Sequence, residues 1–242
     1  MTATAISAAA GKLTSIRECS DSSWHWLYKV GSAAAMVSLI IIPISIAVYF
    51  IWPPADTVAG HFEAIQNNQL VGLLGMDLLY LLGNLFLIPT WLALYVALRR
   101  ANESQTAVAL TLGLIGTVSL IAGRPILEMV SLSSQYAAAA TELERMTYLA
   151  AGEAMMAVYH GTAFNAHYVL DTIGLLIFSL VMLQSDVFSR RTAVVGIAAN
   201  TITLGYYMPV VGVTFSIFSV FFYFAWYLLI ARKFWQLSRA EA

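Results

Sequence analysis

Asp77, Arg124, Glu128, Glu153, His160, His167 and Asp171 are the residues of this chain whose types and spacing suit chemistry. They lie in or near apolar stretches, where a charged side chain costs about 2.5–3.5 kcal/mol to insert, so each such charge needs a reason to be there. Arg124 and Glu128 are four residues apart, as are His167 and Asp171, so each pair shares one face of a helix. At 100° per residue, Glu153, His160, His167 and Asp171 fall within about 40° of one another on a continuous helix. Leu143, Met146, Ala150 and Ala157 share that stripe, which predicts that this face packs inward. Gly161 is the position where the alignment would break.

Imidazole and carboxylate groups converging from different helices suit zinc or another divalent first-row metal. His160, His167 and Asp171 would be the ligands, with Glu153, Asp77 or Glu128 as a fourth ligand or general base. A metal-bound water would then be a hydrolytic nucleophile, and lipid at the outer leaflet the natural substrate class. A second reading is a polar pocket open to the outside that binds, senses or passes a small solute. A third is structural: Arg124 is neutralised by Asp77, Glu128 or Asp171, and the histidines face water or a carbonyl. Asn165 and Asn200 would add hydrogen bonds, whereas a haem held by His61 and another histidine has no spacing to support it. The chain carries no Walker loop, Gly-x-Ser-x-Gly elbow, His-Glu-x-x-His or Cys-x-x-Cys-His motif, and no lysine within an apolar span.

The elements that must position these residues follow from composition. Of 242 residues, 60% are hydrophobic and 10% charged, and the mean hydropathy is +0.78. A soluble domain carries about 25% charged residues, and a chain this apolar has too few polar side chains to cover a surface in water. The net charge of −1 provides no basic field for nucleic acid. The single cysteine, Cys19, cannot form an internal disulfide and reads as a spectator thiol. No cleavable signal peptide is expected, since the first apolar run is long enough to stay in the membrane.

A helix needs about 20 apolar residues to cross a hydrocarbon core of roughly 30 Å. Six stretches qualify, at about 31–52, 70–98, 107–127, 164–183, 192–208 and 212–230. The fifth is the shortest and carries Asn200, Thr201 and Thr203. The expected architecture is an all-α membrane protein, a six-helix transmembrane bundle over 29–235 with tails at 1–28 and 236–242. Lysine and arginine resist translocation. Six spans place every one of the 12 basic residues except Arg124 and Arg145 on one side, so both termini are expected in the cytoplasm. This puts Asp77, Arg124, Glu128, His167 and Asp171 towards the outer face, with Asp77 about seven residues inside the second span.

Two connections on the outer side are long enough for structure. Between Pro53 and Gln69, Asp56 is placed to cap a short helix with Val58, Phe62 and Ile65 on one side, suited to lying on the membrane surface. Thr141-Glu142-Leu143-Glu144 fits a capping box, which predicts an extracytoplasmic helix from Glu142 towards Tyr159 before the fourth span. Small residues at Gly72, Gly75, Gly113 and Gly116 would allow close helix contact, as in an accessory subunit of a larger complex.

The stretches Tyr136–Thr141, Leu149-Ala-Ala-Gly-Glu153, Tyr159-His-Gly-Thr-Ala-Phe-Asn165, Val187-Phe-Ser-Arg-Arg191, Val195-Gly-Ile197 and Gly205-Tyr206 carry a resemblance. Over roughly residues 30 to 235 the chain resembles the bacterial multipass family known as domain of unknown function 4386. The resemblance implies an all-helical bundle in a bacterial inner membrane, with the lipid bilayer as its partner, and it implies no activity, substrate or catalytic residue.

Overall fold

The computed structural model describes residues 22–239, and Lys12, Arg17 and Cys19 lie outside the described residues. Among these residues the regular structure is helical throughout. Helix α1 is Ser22–Ile51, α2 Val58–Asn67, α3 Gln69–Leu74, α4 Leu78–Leu98, α5 Glu103–Ala122, α6 Ile126–Ala138 and α7 Glu142–Tyr159. Helix α8 is Thr162–Met182, α9 Arg190–Leu204 and α10 Gly212–Leu237, with a single 3-10 turn at Gly205–Tyr207. Five helical stretches are long and apolar enough to cross a membrane: Ser23–Ile51, Leu78–Leu98, Glu103–Ala138, Glu142–Met182 and Gly212–Leu237. α9, with 15 residues, is shorter than a full crossing.

Two expected boundaries are corrected. The second apolar stretch is not one helix from 70 to 98: α3 stops at Leu74, the chain turns through Gly75–Asp77, and α4 begins at Leu78. The third ends at Ala122, because Pro125 disfavours helical backbone at Arg124 and offers no N–H of its own. Arg124 and Glu128 therefore stand on either side of a break and do not share a helix face. The helix from Glu142 runs to Tyr159 as expected and stops there, with His160 as its C-cap, before α8 starts at Thr162.

The capping box is formed: Glu144 N donates to Thr141 Oγ1 at 3.2 Å and Thr141 N to Glu144 Oε2 at 3.1 Å. The cap of α2 is Thr57, whose side chain accepts from Gly60 N, and not Asp56.

By its contacts the chain divides into two compact units. One takes the chain up to Leu39, Phe86–Ile115 and the chain from Val169; the other takes Ile40–Leu85 and Gly116–Tyr168. In the first unit, Tyr28, Trp91, Phe178, Trp226 and Phe234 form an aromatic core. Gly113 and Gly174 lie against the Trp91 ring, and Gly196 against Trp226 and Ser179, so a side chain at any of them would collide. The close approach that Gly113 permits is therefore used inside the chain. Asn200 is fully buried, receiving the Tyr223 hydroxyl at 2.7 Å and donating to Gly196 O at 2.7 Å. This accounts for its amide, which was expected to serve the outer charge cluster.

In the second unit, α2, α3, α6 and α7 enclose a core of their own. Val58, Phe62, Ile65, Met76, Ile126 and Met129 are its buried members, with Leu149, Met155 and Met156 packed against them. The apolar side of α2 is thus covered by protein and is not free to rest on a lipid surface. The inward face of α7 also differs from expectation. Leu143, Met146, Ala150, Glu153, Ala157 and His160 are all exposed, whereas Gly152 is buried. A Cβ on Gly152 would meet Val58 Cγ1 and would lie 2.9 Å from Phe62 Cζ. The glycine selects the packed side, because it is where α2 can approach the α7 backbone.

Candidate functional site

The second unit brings Asp77 and Arg124 together and adds Tyr159, which the spacing of charges did not point to. All three stand at helical breaks. Asp77 closes the turn after α3 with φ of 61°, one of two non-glycine residues with positive φ among those described, the other being Val210. An aspartate tolerates this left-handed backbone better than a bulky or β-branched residue does. Arg124 lies between α5 and Pro125, and Tyr159 is the last residue of α7.

Arg124 Nη2 lies 3.2 Å from Asp77 Oδ2, and Arg124 Nη1 donates to the Tyr159 backbone carbonyl at 2.8 Å. The Tyr159 hydroxyl donates to the same Asp77 oxygen at 2.5 Å. The guanidinium therefore caps the C-terminus of α7, where the helix dipole and the free carbonyls favour a cation, and neutralises a carboxylate at the same time. Its faces are covered by rings, with the guanidinium carbon 4.0 Å from the Tyr159 centroid, 4.8 Å from Phe164 and 6.0 Å from Tyr80. These lie within cation–π range.

The two charges differ in access. The Arg124 side chain is 2% exposed and that of Asp77 45%. Burial of the cation requires its partners, since an isolated charge in a low-dielectric setting is too costly to keep. The carboxylate has one oxygen committed to Arg124 and Tyr159, while the half-exposed side chain keeps the group within reach of solvent.

One turn into α4 and α8 lies a second polar contact. Tyr80 Oη and His167 Nε2 are 2.8 Å apart, with the rings edge-on at 5.7 Å between centroids. His167 is 2% exposed. Near the turn into α8, Asn165 Nδ2 donates to Gly161 O at 2.9 Å.

Glu128 is exposed on the first turn of α6. Glu153 and His160 lie on the exposed side of α7 and at its C-cap. Asp171, further along α8, belongs to the first unit. Among the described residues no group of three or more His, Cys, Asp or Glu side chains could hold a metal ion. The turn at His160–Gly161 separates α7 from α8, and His167 on α8 meets Tyr80.

His61, on α2, is buried. Burial holds its imidazole below the ordinary value of 6.5, and the charge of nearby His160 pushes the same way; the Ala55 backbone works against both. Comparison of the chain with models of known families, with curated proteins and with solved structures gives no match.

Proposed function

We propose that this chain crosses a lipid bilayer six times with both termini in the cytoplasm, and that it binds a small solute at Asp77 near the outer boundary. Helix lengths support the placement. α4, α5 and α8 have 21, 20 and 21 residues, each about 30 Å long at 1.5 Å per residue, which matches the hydrocarbon core. Asp77 directly precedes α4, Arg124 follows α5 by two residues, and Tyr159 precedes α8 by three. The opposite ends of α4 and α5 meet at Arg99 and Arg100, which marks that end as cytoplasmic under the positive-inside tendency. On this reading the ion pair stands where three spans leave the membrane, and α2, α3, α6 and α7 form an extracytoplasmic cap.

The sixth crossing is assigned to α9 with its 3-10 extension to Tyr207. Arg190 and Arg191 at its start lie on the cytoplasmic side, and the turn at Met208–Val211 returns the chain into α10. The bacterial plasma membrane, and membership of the domain of unknown function 4386 family, belong to the same proposal through the resemblance described above.

One observation carries the binding reading. Asp77 is held in a strained backbone region with a half-exposed carboxylate, of which one oxygen is engaged by Arg124 and Tyr159. Strain of this kind persists where surrounding contacts over-determine it, and it clusters at ligand sites. An exposed carboxylate oxygen at a membrane boundary recognises a hydrogen-bond donor or a cation, so the solute class is a small amine or polyol. Thermal-shift measurements on purified protein against a panel of such solutes, for wild type and Asp77→Asn, test this. A shift for one class in the wild type that Asp77→Asn abolishes is the expected result. No shift in the wild type, or an equal shift in the variant, overturns it.

A further inference from the structure

We propose that Asp77, Arg124 and Tyr159 form the latch of a hinge, about which α2, α3, α6 and α7 move as one body relative to α4, α5 and α8. The starting point is a coincidence of breaks. Three helical paths are interrupted in the second unit: at Gly75–Asp77 between α3 and α4, at Gly123–Pro125 between α5 and α6, and at His160–Gly161 between α7 and α8. The three interruptions touch one another. Arg124 Nη1 reaches Tyr159 O, Arg124 Nη2 reaches Asp77 Oδ2, and the Tyr159 hydroxyl closes the triangle on that oxygen. A Cβ on Gly123 would lie 2.7 Å from Ala163 Cβ and 3.4 Å from Phe164 N, so the second and third breaks also abut through backbone.

Breaks at unrelated heights would stiffen a bundle, since each bend would be braced by a continuous neighbour. Breaks that meet at one level leave no continuous helix among these three paths to carry rigidity across it. Turn-type backbone bonds run through each break, among them Ile126 N to Arg124 O at 2.8 Å and Gly161 N to Val158 O at 3.0 Å, and the longest stand at two of the latch residues. Arg124 N reaches Ile121 O at 3.4 Å and Asp77 N reaches Leu74 O at 3.3 Å, both near the limit of a hydrogen bond. Gly161 accommodates the third bend because a Cβ would sit 2.7 Å from Ala157 O.

The part beyond this level can move as a unit because it has its own core, Val58, Phe62, Ile65, Met76, Ile126 and Met129, to which α4 adds Leu78 and Leu81 at the margin. It is tied internally by polar contacts too: Gln66 Nε2 donates to Ser133 O at 3.1 Å and Ser133 Oγ to Phe62 O at 3.0 Å. The latch joins it to the ends of α4, α5 and α8, beside the apolar margin at Leu78 and Leu81. This inference requires no solute, so it stands or fails separately from the binding reading.

Hydrogen–deuterium exchange on the full chain in lipid nanodiscs tests it, comparing wild type, Tyr159→Phe, Asp77→Asn and the double variant. Tyr159→Phe keeps the ring over Arg124 and removes the hydroxyl alone, so the fold is retained. Exchange over 58–67, 126–138 and 142–159 is expected to rise together by about tenfold in each single variant, with 82–98 and 166–182 unchanged. The double variant is expected to match the singles, because both remove one latch. Unchanged exchange in the three segments, a rise confined to one of them, an equal rise in α4 and α8, or additive effects in the double variant would each overturn the proposal.

Discussion

The Tyr159 hydroxyl and the Asp77 carboxylate, 82 positions apart in sequence, meet at 2.5 Å on the oxygen that also faces Arg124. This contact joins the last turn of α7 to the first residue before α4. It explains why a tyrosine is placed under the ring stack on Arg124: its face covers the cation while its edge satisfies the anion. Removing the hydroxyl in Tyr159→Phe is expected to lower unfolding stability by about 1.5 kcal/mol, the usual loss for a hydrogen bond to a charged group. Chemical or thermal unfolding in detergent measures it, and a loss within error of zero would show that the contact contributes nothing.

Replacement of Arg124 is expected to cost more than that of Tyr159. Arg124→Met leaves the α7 carbonyl and Asp77 without their cation, and Arg124→Lys retains charge without the planar fork or the stacking. Both should destabilise by about 2–4 kcal/mol, moderated by the exposure of Asp77. A fully stable Arg124→Lys would mean that point charge alone suffices and the ring box is incidental.

Asp77 separates charge from backbone strain. Asp77→Asn retains a side chain that tolerates positive φ, whereas Asp77→Ala does not and loses a further 1–2 kcal/mol or so. Unfolding curves of the two variants should therefore differ, with alanine the less stable. Equal stabilities would indicate that the turn relaxes out of the left-handed region.

The contact between α2 and α7 depends on Gly152. Gly152→Val forces a branched side chain into Val58 and Phe62, with an expected cost of about 1–3 kcal/mol from overpacking. Proteolysis or exchange of 58–67 and 142–159 would show the loosening. Val58→Ala should relieve part of it, which a non-local effect would not allow.

Acidification is expected to loosen the same packing through His61. Its folded-state affinity for a proton is lowered by burial, so the unfolded state binds the proton more readily. Stability is therefore fully present above the ordinary histidine value of 6.5 and falls as pH drops from there through the depressed folded value. Exchange over α2 measured from pH 7.5 to pH 5 should rise in the wild type and stay flatter in His61→Gln. Parallel curves would assign the effect to other groups.

The all-helical class, with helices long and apolar enough to cross a membrane, was legible in the sequence because apolar runs of bilayer length leave few alternatives. The Thr141 capping box was legible because its donors and acceptors are local. That Arg124 needs a carboxylate followed from the cost of a lone buried cation, with Asp77, Glu128 and Asp171 as the candidates, and the structure supplies Asp77. The break at Gly75–Asp77 was not legible, since Leu70–Leu98 reads as one apolar run and positive φ at an aspartate leaves no compositional mark. The packed face of α7 was misread because alanines at 150 and 157 suit either side, and the deciding feature, close approach at Gly152, depends on a helix distant in sequence. Tyr159 was missed because a tyrosine at a helix end is common and its acceptor lies 82 positions away.

The central claim is that the Asp77–Arg124–Tyr159 contact stands at the outer membrane boundary, with α7 beyond it and Arg100 and Arg191 on the opposite side. Cysteine accessibility in intact cells tests this most directly, using a membrane-impermeant thiol reagent on Glu144→Cys, Arg100→Cys and Arg191→Cys in a Cys19→Ser background. Labelling of position 144 from outside, with positions 100 and 191 labelled only after the membrane is opened, is the predicted result. Labelling of position 100 or 191 in intact cells, or protection of position 144, would contradict it.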